Sequence, residues 1–350
     1  MKKNITINNT KIGCNYPTYI IAEMSANHNK DLKRAKKIVK NAKICGANAV
    51  KVQLYTPDTL TIDSSESYFQ LDSNSLWHGK SLYELYKEAY MPWEWYSKLK
   101  KYATSLNIDL FSTAYDYSSV DFLESHNVPV HKIASFELTD IPLIRKMATT
   151  KKPLLISTGM ATIEEISEAI ISARQSGATE LGIFKCTSGY PALPEEMNIK
   201  AIKTLAQKFE VPVGLSDHTR GIEIPIAAVT LGANFIEKHL TLNRKDGGLD
   251  SSFSIEPKEF KKMVESIRNV EKSLIENKIG PTLHELNNIR YRRSLFVVEN
   301  MNVGDVFSVH NIRSIRPAYG LHPRHYFEIL GKKAKRDINR GTPLSLELIS

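Results

Sequence analysis

Three times in this chain an amphipathic helical stretch runs into Gly-Ala and then directly into a short apolar run: "GANAVKVQ", "GATELGIF" and "GANFIEKH". In the first, Leu32, Ala35, Ile38, Val39, Ala42 and Cys45 recur at helical spacing. Asp31 is placed to cap the start and Gly46 to end the helix. In the second, Thr162 and Glu165 have the spacing of a capping box. Further apolar runs fill the gaps, giving eight strand candidates that begin near Tyr19, Ala49, Ile108, Val130, Pro153, Leu181, Val211 and Asn234. Short apolar strands alternating with helices make a parallel sheet covered on both faces. Eight such units in roughly 250 residues fit a (β/α)8 TIM barrel. An open doubly wound sheet is the rival, but no Gly-rich dinucleotide fingerprint follows the first strand.

Two segments interrupt the pattern. Ser64 to Trp95 is long for a loop and contains the aromatic-rich "LWHGKSLYELYKEAYMPWEW". It reads as an insertion with one helix, either a wall near the active face or a packing element. After "ENKIGPTLHELNNIR" the Gly280-Pro281 pair marks a break. The remainder has short β-type runs and a turn at Asn302 to Asp305. The expected organisation is therefore a barrel domain over 1–278, a linker over 279–290 and a small domain over 291–350. So small a domain gains from leaning on a partner surface.

Composition narrows the function classes. With 42% hydrophobic and 24% charged residues a sizeable soluble core is expected. The net charge is +9, but Lys and Arg are spread along the chain and no nucleic-acid motif appears. A phosphorylated or carboxylated small molecule accounts for the charge as well as a generally basic surface does. The three cysteines are widely spaced, which suggests neither a disulfide framework nor a zinc site. No signal peptide is read and no stretch is long enough to span a membrane. The expectation is a cytoplasmic protein that binds neither nucleic acid nor membrane.

In such a barrel the chemistry gathers at the C-terminal ends of the strands. The polar residues there are Glu23; Lys51 and Gln53; Ser112 and Thr113; Lys132, Ser135 and Glu137; Ser157 and Thr158; Thr187, Ser188 and Tyr190; Ser216, Asp217 and His218; and Glu237, Lys238 and His239. Strands seven and eight are neighbours, so His218 and His239 converge. The pair suits one divalent metal such as Mn²⁺, with open positions for a substrate oxygen. Asp217 and Glu237 are expected to support the imidazoles. Lys51 and Lys132 lie within apolar strands and need anionic partners. Glu137 or Asp217 would serve structurally; a phosphorylated, carboxylated substrate would serve functionally. A Schiff base on one lysine is the other chemical option.

Taken together, "IIAEMSANHN", "AVKVQ", "FST", "KIASFE", "ISTGMAT", "CTSGYP", "GLSDHT" and "EKHLTL" resemble the sialic acid synthase family. The likeness runs along nearly the whole chain, and the tail from about Tyr291 resembles that family's antifreeze-like (SAF) domain. "YTPDTLT", "LWHGKSLYELYKEAYMPWEW", "GGLDSSFSIEP" and "RPAYGLHP" are most similar to the branch that makes pseudaminic acid. Ala114, Asn243 and Leu249 depart from the pattern, where proline, aspartate and proline are expected. The resemblance implies condensation of phosphoenolpyruvate with 2,4-diacetamido-2,4,6-trideoxy-L-altrose; the alternative is an N-acetylneuraminic or legionaminic acid synthase. A non-catalytic sugar binder has no need of Glu23, Lys51, Lys132, His218 and His239 together.

Carried over residue by residue, the resemblance implies that His218 and His239 hold Mn²⁺, Co²⁺ or Mg²⁺. Lys132, Ser135, Ser157 and Ser216 would bind phosphate. Lys51, Thr113, Ser188 and Tyr190 would surround the rest of phosphoenolpyruvate, Ser188 aligning with an asparagine of the neuraminate enzymes. Gln53, Glu137 and Asp250 would face the sugar, with Arg316 reaching in from the small domain. Glu23 is expected to handle a proton of the attacking water, and Lys51 and Lys132 to stabilise the charge on substrate. The resemblance further implies a domain-swapped homodimer.

Overall fold

A computed structural model describes residues 4–72, 77–275 and 279–350. The chain divides into two compact units, one running to Ile275 and the other from Glu276 to Ser350. The expected boundary at 278 falls within 276–278, outside the described residues.

In the first unit eight parallel strands close into a barrel. They are β1 (Tyr19–Glu23), β2 (Ala49–Leu54), β3 (Asp109–Ala114), β4 (His131–Ile133), β5 (Leu154–Ser157), β6 (Leu181–Cys186), β7 (Val213–Asp217) and β8 (Phe235–His239). Each is paired with its sequence neighbour, and β8 closes onto β1. Helices cover the outside, among them α1 (Leu32–Ile44), α2 (Pro57–Leu60), α3 (Leu82–Ala89) and α4 (Trp95–Ser105). Asp31 caps α1 by accepting from the Lys33 amide, and Thr162 with Glu165 forms the anticipated capping box. Gly46, Gly177 and Gly232, which end the three recurring helices, have φ of +90°, +106° and +96°. A side chain there is disfavoured, so the chain reverses into the next strand at glycine.

The rival open sheet is excluded by closure. The segment 64–95 carries α3, started by a Ser81/Glu84 capping box; residues 73–76 of that segment lie outside those described. One element was not anticipated: an antiparallel hairpin of Ile5–Ile7 and Thr10–Ile12. Ile5, Ile7 and Ile12 are fully buried. The Thr6 amide donates to Glu180 and Asn8 to Asp109, both at strand entries, so the hairpin covers the end of the barrel opposite the strand C-termini.

The second unit has its own core of Leu295, Val297, Met301, Phe307, Ile312 and Leu344 among others. It is built on the antiparallel pair β9 (Ser294–Val297) and β10 (Ile312–Ile315).

Candidate active site

Side chains alternate along a strand, so every second residue of β1 to β8 faces one side of the barrel wall. The ladder puts His239 beside Glu23, Glu23 beside Lys51, Gln53 beside Thr113, Thr113 beside Lys132, Cys186 beside Ser216 and Ser216 beside Glu237. The eight strand ends therefore turn their chemistry inward at one level. Above them opens a cavity of about 410 Å³. Lys51, Gln53, Lys132, Ser135, Glu137, Ser157, Ser188, Tyr190, Ser216, His218, His239 and Asp250 all line it. Glu23 and Thr113 lie just beneath, each in contact with Lys51.

The two buried lysines find partners other than those anticipated. The Lys51 ammonium lies 2.7 Å from Glu23 Oε2 and 3.5 Å from Glu237 Oε1, and donates to Thr113 Oγ1 at 3.1 Å. Lys132 donates to Ser157 Oγ at 2.5 Å and stands 4.0 Å from Glu237 Oε2. Glu237 thus sits between both ammonium groups and also accepts from Ser216 Oγ at 3.3 Å. It was read as a support for histidine; in the structure it shields the repulsion of two lysines. Burial alone would push Glu237 up, but Lys132 and Lys51 hold its carboxyl below the usual range. Burial lowers Lys132. Burial also opposes the charge on Lys51, yet Glu23 and Glu237 raise its pKa. Glu23 is buried and pushed up to about 7, with Lys51 opposing and Glu237 assisting. Its Oε1 accepts from Gln53 at 3.0 Å.

Asp217 likewise makes no hydrogen bond to an imidazole. The β7–β8 ladder pairs it with Lys238, and their side chains form an ion pair at 2.5 Å, both essentially inaccessible to solvent. Lys238 also donates to the Thr219 carbonyl. Asp217 Oδ1 accepts from the Thr219 amide at 3.0 Å and its hydroxyl at 2.8 Å. The residues on both sides of His218 are therefore clamped to β8. Odd and even positions divide the work: Glu237 and His239 face the cavity, and Lys238 faces out to hold β7.

The rings of His218 and His239 are 5.3 Å apart between centroids. His218 Nδ1 is 2.8 Å from the Thr187 carbonyl, which places the proton on Nδ1 and leaves Nε2 as the free lone pair. His239 Nδ1 is buried without a hydrogen-bond partner. Burial and the nearby positive charges keep His239 far below the normal histidine range, hence neutral. Two imidazoles with available lone pairs fit a divalent first-row ion. No group of three His, Cys, Asp or Glu side chains converges as a metal cage among the described residues. The remaining coordination would fall to water and substrate oxygens, as an open catalytic site requires.

At the opposite side Ser135 Oγ accepts from the Gly159 amide at 3.1 Å. A Cβ at Gly159 would lie 2.3 Å from Ser188 Oγ and 2.7 Å from Ser135 Oγ, so only glycine lets these hydroxyls approach. Ser188 Oγ and Glu137 Oε2 are buried without partners, and burial pushes Glu137 up to about 7. Asp250 Oδ2 accepts from the Ala26 amide at 3.1 Å. Arg316 belongs to the second unit, directly after β10, and is exposed. Cys186, Tyr55, Tyr86 and Tyr115 also line the cavity and were not singled out from sequence. The odd-numbered face of the strands would have found Tyr55 and Tyr115; the even-numbered face of β6 would have found Cys186.

Comparison with known proteins places this geometry. Residues 38–278 match the NeuB family and residues 292–350 the SAF domain. A pseudaminic acid synthase from Campylobacter jejuni subsp. jejuni serotype O:2 is 43% identical over 93% of this chain and 95% of that protein. An N,N'-diacetyllegionaminic acid synthase from Legionella pneumophila is more distant, 37% identical over 100% of this chain and 99% of that protein. The crystal structure of an N-acetylneuraminic acid synthetase from Leptospira borgpetersenii superposes with a TM-score of 0.72 at 33% identity, covering 82% of this chain and 95% of that one. A closed eight-stranded barrel, the convergence of lysines, carboxylates and histidines at its strand ends, and similarity along nearly the full length agree: this chain belongs to the NeuB family of sialic acid synthases and carries a SAF domain.

Proposed function

We propose that the chain condenses phosphoenolpyruvate with 2,4-diacetamido-2,4,6-trideoxy-L-altrose and water, giving pseudaminic acid and phosphate. One observation carries the reaction: two buried lysines and a cluster of serine hydroxyls face two buried histidines across a single cavity. The choice of sugar is supported by the higher identity to the pseudaminic than to the legionaminic enzyme.

Lys132, Ser135, Ser157 and Ser216 are assigned to the phosphate, where a fixed ammonium and hydroxyl donors replace water. Lys51, Thr113, Ser188 and Tyr190 are assigned to the rest of phosphoenolpyruvate. Held between Glu23 and Glu237, Lys51 keeps its charge in a buried site and can oppose a substrate carboxylate. Gln53, Glu137 and Asp250 are assigned to the sugar; the unpartnered Glu137 Oε2 supports this.

Synthases of this family are generally metal-dependent. A divalent ion held by His218 and His239 would supply Lewis acidity toward the sugar aldehyde. C3 of phosphoenolpyruvate attacks the aldehyde carbon, and water adds at C2 as positive charge develops there. Glu23, with a pKa of about 7, is poised to take the proton of that water. Phosphate then departs by C–O cleavage. We further assign the protein to the cytoplasm and to a domain-swapped homodimer in which Arg316 completes the sugar site of the other subunit.

The test is phosphate release from phosphoenolpyruvate with each candidate sugar. The altrose should exceed N-acetylmannosamine in kcat/KM; equal or better turnover of N-acetylmannosamine would overturn the sugar assignment.

A further inference from the structure

The cavity has two chemically different ends. Its floor is built by strand ends and carries the lysines, serines, carboxylates and histidines described above. Its other wall is contributed by the connection between β2 and α4: Leu60 on α2, then Leu82, Leu85 and Ala89 on α3 line the same cavity. Leu85 is only 7% exposed, so its place is fixed by packing. Trp77, also in this connection, donates its indole N–H to the Leu249 carbonyl at 3.1 Å, joining the wall to the loop after β8. The side chains of Leu60, Leu82 and Leu85 offer no hydrogen-bonding group, although Tyr86 on α3 also lines the cavity.

Geometry orients the sugar. Its aldehyde carbon must meet phosphoenolpyruvate on the floor, beside the histidines and lysines. C6 is the far end of the open chain and so has the greatest reach from the floor toward the apolar wall. We propose that Leu60, Leu82 and Leu85 receive the C6 methyl group and select a 6-deoxy sugar over its 6-hydroxylated counterpart. This rests on the sugar assigned above. A hydroxyl pressed on these leucines gives up its hydrogen bonds to water and gains none. An apolar pocket rejects an added hydroxyl by up to about 100-fold.

The experiment compares kcat/KM, with phosphoenolpyruvate saturating, for 2,4-diacetamido-2,4,6-trideoxy-L-altrose and for the same altrose bearing a C6 hydroxyl. Wild-type protein should favour the deoxy sugar by roughly 10- to 100-fold. Leu82→Gln and Leu60→Gln supply an amide to the hydroxyl and should narrow that ratio at least several-fold, mainly by raising turnover of the hydroxylated sugar. Leu82→Met keeps the wall apolar and should preserve the ratio. Equal use of both altroses by wild-type protein overturns the inference whether or not any variant folds. So does an unchanged ratio in glutamine variants that retain the wild-type circular dichroism. Turnover of N-acetylmannosamine with neither altrose accepted would instead overturn the sugar assignment, and the inference with it.

Discussion

The pairing of Lys238 with Asp217 makes a sharp prediction, because it separates stability from function. Both groups are fully buried and 2.5 Å apart. At an effective dielectric of about 20 their attraction is roughly 7 kcal/mol, and stripping water from both ions offsets much of it. The intact pair therefore contributes little net stability. Lys238→Met is different: it leaves a buried carboxylate with only Thr219 as donor, at a cost of about 3–5 kcal/mol. Adding Asp217→Leu removes the stranded charge, and the double variant should recover more than half of that loss in urea unfolding. It should not recover function. Without the Lys238 ammonium the Thr219 carbonyl loses its donor from β8, only the backbone ladder at 217 and 238 remains, and His218 loses its fixed position. Loss of such outer support weakens metal binding by about 10- to 100-fold. Calorimetric titration with Mn²⁺ reads this directly. A double variant that is stable and binds Mn²⁺ like wild-type protein would refute the clamp, as would Lys238→Met unfolding within 1 kcal/mol of wild-type protein.

Four further outcomes are expected. Chelation should abolish turnover and Mn²⁺, Co²⁺ or Mg²⁺ restore it, while His239→Ala should lose at least about 100-fold in kcat yet keep its fold; full activity in metal-free protein would revive a Schiff base on lysine. Gly159→Ala forces a Cβ to within 2.3 Å of Ser188 Oγ, so KM for phosphoenolpyruvate should rise about tenfold or more, and an unchanged KM would argue against phosphate binding at Ser135. Glu137 has its folded pKa raised by burial to about 7 from an ordinary 4.5, so stability is lost as pH rises from near 4.5 to near 7. Glu137→Gln should therefore stabilise by about 1–3 kcal/mol at pH 8 and by almost nothing at pH 4, a difference that thermal unfolding at the two pH values can measure. Mixed His218→Ala and Arg316→Ala proteins, each inactive alone and shown to exchange subunits, should recover up to about a quarter of wild-type activity; a mixture as inactive as its parents would rule out the swapped dimer.

The barrel was legible because its signals are local and repeated. Helix caps, glycine stops and apolar runs each constrain a few neighbouring residues, and eight repetitions leave one closed solution. The cavity residues were legible for the same reason, since strand ends in a barrel share a level. What sequence order hid was the partner of each charge. Lys51 meets Glu23 and Glu237, and Lys132 meets Glu237, across ladders whose register no local pattern specifies. The N-terminal hairpin escaped notice because its two strands have three residues each, too few for a period of two to stand out. Asp217 and Lys238 are the instructive case. Both are adjacent to histidines in sequence, and Asp217 invites a role in holding an imidazole by a hydrogen bond. But a neighbour along a strand points to the opposite face. The residue next to a cavity-facing histidine is for that reason turned away from it. Asp217 and Lys238 are turned away together, and they meet each other outside the barrel wall. Asp217-His218 and Lys238-His239 are therefore two halves of one device: the inward pair lines the cavity, and the outward pair fixes the backbone that carries it.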